Sequence, residues 1–165
     1  MTSETTSTPD LKPLVVRGDE GEAHWFFGNL AVLKTTADDT AGQLTIVEVT
    51  APPGLEVPLH VHRRDDEGFW ILEGDVTFEV DGSTIDAHAG DYVFGPRDIP
   101  HRYTVGNNGC RMLFIMVPGG LENLIRETGQ PAPSRTVPPP SEPPDPAEME
   151  QLNRRGAELG YELVM

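Results

Sequence analysis

Cysteine is almost missing from this chain. Cys110 is the one thiol among 165 residues, so no internal disulfide can form and folding does not depend on an oxidising compartment. It precedes the apolar run Met112–Val117 and reads as a small core or edge residue. Basic residues are scarce too. Twelve Lys and Arg face 27 Asp and Glu, for a net charge of −15, which argues against nucleic acid or an anionic membrane as partner. The doublets Arg63-Arg64 and Arg154-Arg155 have acidic neighbours and build no basic patch. No stretch approaches the roughly eighteen apolar residues of a membrane span. The opening MTSETTSTPD lacks an apolar signal core, and a cytoplasmic location is the expectation.

What the chain does have is a succession of short apolar runs divided by turn residues. Residues 1–10 read as a disordered tail, and Leu11–Val16 as a short edge strand. Ala23–Phe27 and Leu30–Thr35 read as strands around a Gly28-Asn29 turn, and Gln43–Thr50 as a strong strand broken by Pro52-Pro53-Gly54. Further strands are expected at 58–62, 67–72, 76–80, 83–88, 91–94 and 110–117, with Glu73-Gly74-Asp75 as a turn and Asp81-Gly82 as a hairpin turn. The last run is so continuously apolar that burial on both faces is expected. Even spacing without intervening helices predicts an all-β antiparallel sandwich or barrel over residues 11–118.

Residues 119–165 differ. Leu121, Leu124 and Ile125 make a helical stripe ended by Gly129. Residues 131–144 hold seven prolines and read as an extended linker. Asp145, Pro146 and Glu148 then supply N-cap, N1 proline and N3 glutamate for a helix to about residue 158, with Gly160 as its stop and Tyr161–Val164 as a final short strand. Packing on the barrel, covering its mouth and bridging two subunits all remain open for this extension.

The chemistry concentrates in GLEVPLHVHRRDDEGFWILEG, from Gly54 to Gly74. On a strand His60 and His62 project to one face and can converge on one ion about 2 Å from each ring nitrogen. Arg63-Arg64-Asp65-Asp66 suits an exposed turn, and an antiparallel partner turning back there would bring Glu67 beside the imidazoles. Pro96 and Pro100 frame a turn that would aim His101 inward. His24 and His88 have no matching partners and read as structural or surface residues. Three imidazoles and a carboxylate leave coordination positions open on a divalent transition metal such as Fe, Ni, Co, Mn, Cu or Zn. Glu67 can hold the metal or take a proton from substrate, which makes it the candidate catalytic base. Phe69 and Ile71 share its face; with Phe78, Phe114 and Met116 they could form a dry pocket over the metal, or simply core, and Tyr103 could do acid–base work.

The spacing Gly54-x5-His60-x-His62-x4-Glu67-x6-Gly74 resembles the first cupin motif, and Gly90-x5-Pro96-x-Asp98-x2-His101 the second. Asp98 replaces a usual Gly and Val105 a frequent Asn; Asp tolerates positive φ well enough to keep the turn. The resemblance implies a cupin barrel (a jelly roll, or double-stranded β-helix) with a C-terminal helical extension, and a homodimer. The Pro-Arg-Asp-Ile-Pro-His turn (96–101) and the Val-Pro-Gly-Gly-Leu-Glu exit (117–122) are similar to bacterial quercetin 2,3-dioxygenase-like cupins. That likeness implies a dioxygenase taking a flavonol or other enolisable aromatic, deprotonated by Glu67, with dioxygen breaking carbon–carbon bonds and releasing carbon monoxide. A non-oxidative isomerase, cyclase or lyase acting on a polyketide or similar small molecule, and a non-catalytic small-molecule binder, are the alternatives.

Overall fold

Turn residues set the strand boundaries, and the strands wrap around one apolar core. The computed structural model describes residues 10–164, so the expected N-terminal tail lies almost wholly outside the described residues. The elements are β1 (Glu22–Phe26), β2 (Asn29–Thr35), β3 (Thr45–Ala51), β4 (Glu56–His62), β5 (Asp66–Val80), β6 (Ser83–His88), β7 (Tyr92–Gly95), β8 (His101–Val117), α1 (Leu121–Thr128), β9 (Gln130–Pro131), α2 (Pro146–Leu159) and β10 (Tyr161–Leu163).

All described strand pairings are antiparallel, and two long strands organise them. The first half of β8 pairs with β4 and with the second half of β5, which continues to β6. The second half of β8 pairs with β3 and with the first half of β5, which continues to β7. Two layers therefore share β5 and β8 as bent walls, the cupin barrel arrangement. Both bend near the middle, where a turn at residues 73–75 was expected; β5 instead continues through register shifts at Ile71/Glu73 and Gly74/Val76. Gly74 (φ 82) and Gly109 (φ 73) make the crossing possible, since a Cβ on Gly74 would lie 2.1 Å from the Gly109 carbonyl oxygen.

Alternating residues seal the interior: Val47, Val49, Phe69, Ile71, Val76, Phe78, Met112 and Met116 are fully buried or nearly so. The continuous run 110–117 behaves as an alternating strand. Cys110, Met112, Phe114 and Met116 face inward while Leu113 and Ile115 are only half-buried, so the expected two-sided burial is corrected to one. Leu11–Val16 forms no strand; Pro13 interrupts it, and Leu11, Leu14 and Val15 stay exposed.

The C-terminal part lies on the barrel. α1 buries Leu121, Leu124 and Ile125, and its buried Glu122 accepts from the Ala37 amide and the Thr45 hydroxyl. The proline-rich stretch is held down at its start. β9 pairs with β1, the Trp25 indole N–H donates to the Thr136 carbonyl at 2.8 Å, and Arg135 donates to the Gly21 carbonyl at 2.7 Å. Asp145 and Glu148 form a reciprocal capping box on α2, which ends at left-handed Gly160. β10 then pairs with the edge of β4. Among the described residues no helix is long and apolar enough to cross a membrane.

Candidate metal centre

His60 and His62 sit two residues apart on β4, and His101 opens β8 directly opposite His60 in the strand register. Glu67 enters from another direction. The expected hairpin between residues 58–62 and 67–72 is absent, because β4 pairs with β8 and β10 while β5 pairs with β6, β7 and β8. The chain crosses between layers at 63–65, and Glu67 meets the imidazoles across the barrel interior. Each of His60, His62, Glu67 and His101 offers a ligand atom within 4.8 Å of every other. Glu67 Oε2 lies 3.2 Å from His62 Nε2 and 3.1 Å from His101 Nε2.

The opposite ring nitrogens are all engaged. Nδ1 faces the Pro58 carbonyl in His60 (2.8 Å), Asp65 Oδ1 in His62 (2.7 Å) and the Ile99 carbonyl in His101 (3.2 Å). Such acceptors fix the tautomer and leave each Nε2 lone pair for the centre. Gly95, opposite Glu67 on β7, makes room for the His101 ring, from which a Cβ there would stand 3.3 Å. Asp98 adopts φ 64, as its place in the second motif requires, and its amide donates to the His62 carbonyl at 2.7 Å. His62, Glu67 and His101 are buried and His60 is half-buried, so the centre meets solvent through His60.

The electrostatics suit a cation. Burial and the neighbouring His101 push the His60 imidazole down to about 4. Burial also pulls His62 down, but the carboxylates of Glu67 and Asp65 outweigh it and raise the ring above its ordinary value. Burial pushes Glu67 up, yet His62, His101 and His60 together hold it below the usual carboxylate range. A charged carboxylate and three imidazoles with fixed orientation match the oxygen and nitrogen donors of a divalent transition metal.

The six expected pocket residues Phe69, Ile71, Phe78, Tyr103, Phe114 and Met116 are all buried in the core cluster. Of the six, Phe69 lies nearest the centre by ring contact, 5.8 Å from His101, and packs tilted against Phe78 and edge-to-face against Tyr103 and Phe114. Burial, followed by the charge of Glu67, holds the Tyr103 phenol well above its ordinary value, so it stays a neutral donor. Cys110 is buried, and burial pushes its thiol up to about 11, so it stays protonated at neutral pH, in keeping with a core residue. His24 is buried beside Glu22, and His88 is exposed beside Asp75; both stand apart from the cluster. Sequence reasoning passed over Asp65, Gly95 and Tyr161. The His-x-x-Asp spacing could have flagged Asp65; nothing local flags Tyr161.

Residues 47–117 match the family described as Cupin domain. Quercetin 2,3-dioxygenase of Bacillus subtilis (strain 168) is 30% identical over 130 residues, 78% of this chain and 39% of that protein. Polyketide synthase CurC of Streptomyces cyaneus is 30% identical over 94 residues, 55% of this chain and 60% of that one. The chain thus spans about two-fifths to three-fifths of the length of these curated relatives. A solved RmlC-like cupin from Shewanella frigidimarina superposes with a TM-score of 0.60 at 20% identity, over 68% of this chain and 96% of that one. Sequence match, barrel and motif geometry agree, and residues 47–117 of this chain belong to the cupin family.

Proposed function

We propose that the protein is a mononuclear metal-dependent oxygenase, with His60, His62, Glu67 and His101 holding one divalent transition metal. Its substrate is read as a flavonol-like or other enolisable aromatic, and dioxygen as the second substrate. The convergence of four donor atoms around Glu67 carries this reading, and the 30% identity to the Bacillus quercetin 2,3-dioxygenase supports the reaction class. The metal, when bound, polarises a substrate oxygen and makes its proton more acidic. Glu67 is charged and faces the centre, so its carboxylate accepts that hydroxyl proton. Phe69, Ile71, Phe78, Phe114 and Met116 exclude water around it. The Tyr103 phenol stays protonated in the aromatic wall behind Phe69.

Oxygen uptake with a flavonol panel, on protein of known metal content, tests this. Substrate-dependent uptake that Glu67→Gln abolishes while metal is retained is the expected result. Metal-loaded protein that consumes no oxygen with any member removes the dioxygenase reading. The likeness to CurC then favours the second reading, a non-oxidative enzyme acting on a polyketide-like carbonyl compound with Glu67 and Tyr103 as acid–base pair.

A further inference from the structure

The C-terminal strand reaches the candidate centre. β10 runs antiparallel to β4 with Tyr161 opposite His62 and Leu163 opposite His60. The Tyr161 hydroxyl donates to Asp65 Oδ2 at 2.7 Å, and Asp65 Oδ1 holds His62 Nδ1 at 2.7 Å. The Tyr161 ring also meets the His62 ring edge-on, with centroids 4.8 Å apart and planes at 87°. Asp65 is 3% exposed, so both carboxylate oxygens need partners, and these two side chains supply them.

The surrounding contacts tie the same three segments together. The Arg63 amide donates to the Gly160 carbonyl at 2.7 Å, and the Arg64 guanidinium donates to the Glu158 carbonyl at 2.8 Å. The Arg63 guanidinium bridges Glu162 on β10 (3.1 Å) and Asp98 in the turn before His101 (3.0 Å). The ligand loop, the second motif and the C-terminal strand therefore share one network.

We propose that Asp65 and Tyr161 are positioning residues of the metal centre, so that docking of β10 aims His62 Nε2 and metal binding in turn secures β10. This rests on the reading of the four-residue cluster as a metal site. Removing the phenol hydroxyl leaves Asp65 Oδ2 buried without its donor; the carboxylate then turns to recover one, and the His62 ring loses its fixed orientation. By linkage, a strand that favours the metal-ready ring is itself favoured by the metal.

The test uses the full chain and Co2+ alone, titrated against a competing chelator in the wild type, Tyr161→Phe and Asp65→Asn. Affinity is expected to fall about 10-fold in Tyr161→Phe and by about 10–100-fold in Asp65→Asn. The visible absorption of the Co2+ form should change in both, while the circular dichroism of the metal-free variants matches wild type. Hydrogen exchange on the wild type needs no variant: Co2+ should slow the amides of residues 161–164. Wild-type affinity and spectrum in Tyr161→Phe, or exchange at 161–164 indifferent to Co2+, overturns the proposal alone. A wild type that binds no Co2+ overturns the metal reading and this proposal with it.

Discussion

Of the three site histidines, His62 is the one with a carboxylate at each ring nitrogen. It meets Glu67 through Nε2, Asp65 through Nδ1 and the Tyr161 ring face-to-edge. His62→Ala should therefore reduce bound metal from near one equivalent to near zero, read by elemental analysis of dialysed protein. The same residue sets a pH dependence. The folded pKa of His62 is raised above 6.5, so the metal-free fold gains stability from its protonated form below 6.5 and loses it as pH climbs through the raised value. A metal needs the neutral ring, so Co2+ affinity should rise with pH through that raised value, with proton release detectable as buffer-dependent calorimetric heat. His60, held at about 4, should contribute no proton at neutral pH. At this scale the clustering of the four donors was legible from the His-x-His periodicity and the motif spacing, although Glu67 arrives across the barrel rather than by a hairpin. Asp65 was not, since a charged run between two strands reads as solvent-facing; here the loop folds inward and only Arg63 and Arg64 stay exposed.

Among the elements, β5 and β8 carry the architecture. Each traverses the barrel once and bends beside the other, and the bend rests on Gly74 and Gly109. Gly74→Ala combines a left-handed backbone with a clash against a carbonyl, so a loss above about 2 kcal/mol is expected in urea unfolding. The capping box of α2 sits far from the centre, and Asp145→Ala should cost about 1 kcal/mol of local helix stability, seen as faster amide exchange in its first turn with metal affinity unchanged. Element positions were readable where turn chemistry is strong: residues 83–88 appear as β6 over that same span, and Asp145, Pro146 and Gly160 bound α2. The signal failed at Leu11–Val16, where apolar content without a partner strand makes no ladder. It also failed at residues 73–75, where Glu-Gly-Asp composition suggests a turn although the glycine serves a bend within β5.

For the molecule as a whole, a ligand that binds only the folded state raises stability by mass action. Metal at about 100 times its Kd should add about 2.7 kcal/mol, a rise of about 5–10 °C in melting temperature for a chain of this size. Chelated protein that melts at the same temperature as protein incubated with Co2+ would contradict a site coupled to the fold. The class of barrel was legible from the sequence, but its wiring was not. Adjacent strands invite a hairpin, whereas β4 and the first half of β5 go to different layers and leave one flank of β4 open. That flank is where β10 lies, aligning its three residues with 60–62, and Val164 just after it donates its amide to the Leu59 carbonyl. A sheet margin stripped of its neighbour is a template for a strand from another molecule. Clipping the chain after Gly160 would therefore do more than loosen His62: it would uncover a sticky backbone seam beside the centre, and light scattering should report concentration-dependent self-association of the clipped protein beyond that of the intact chain.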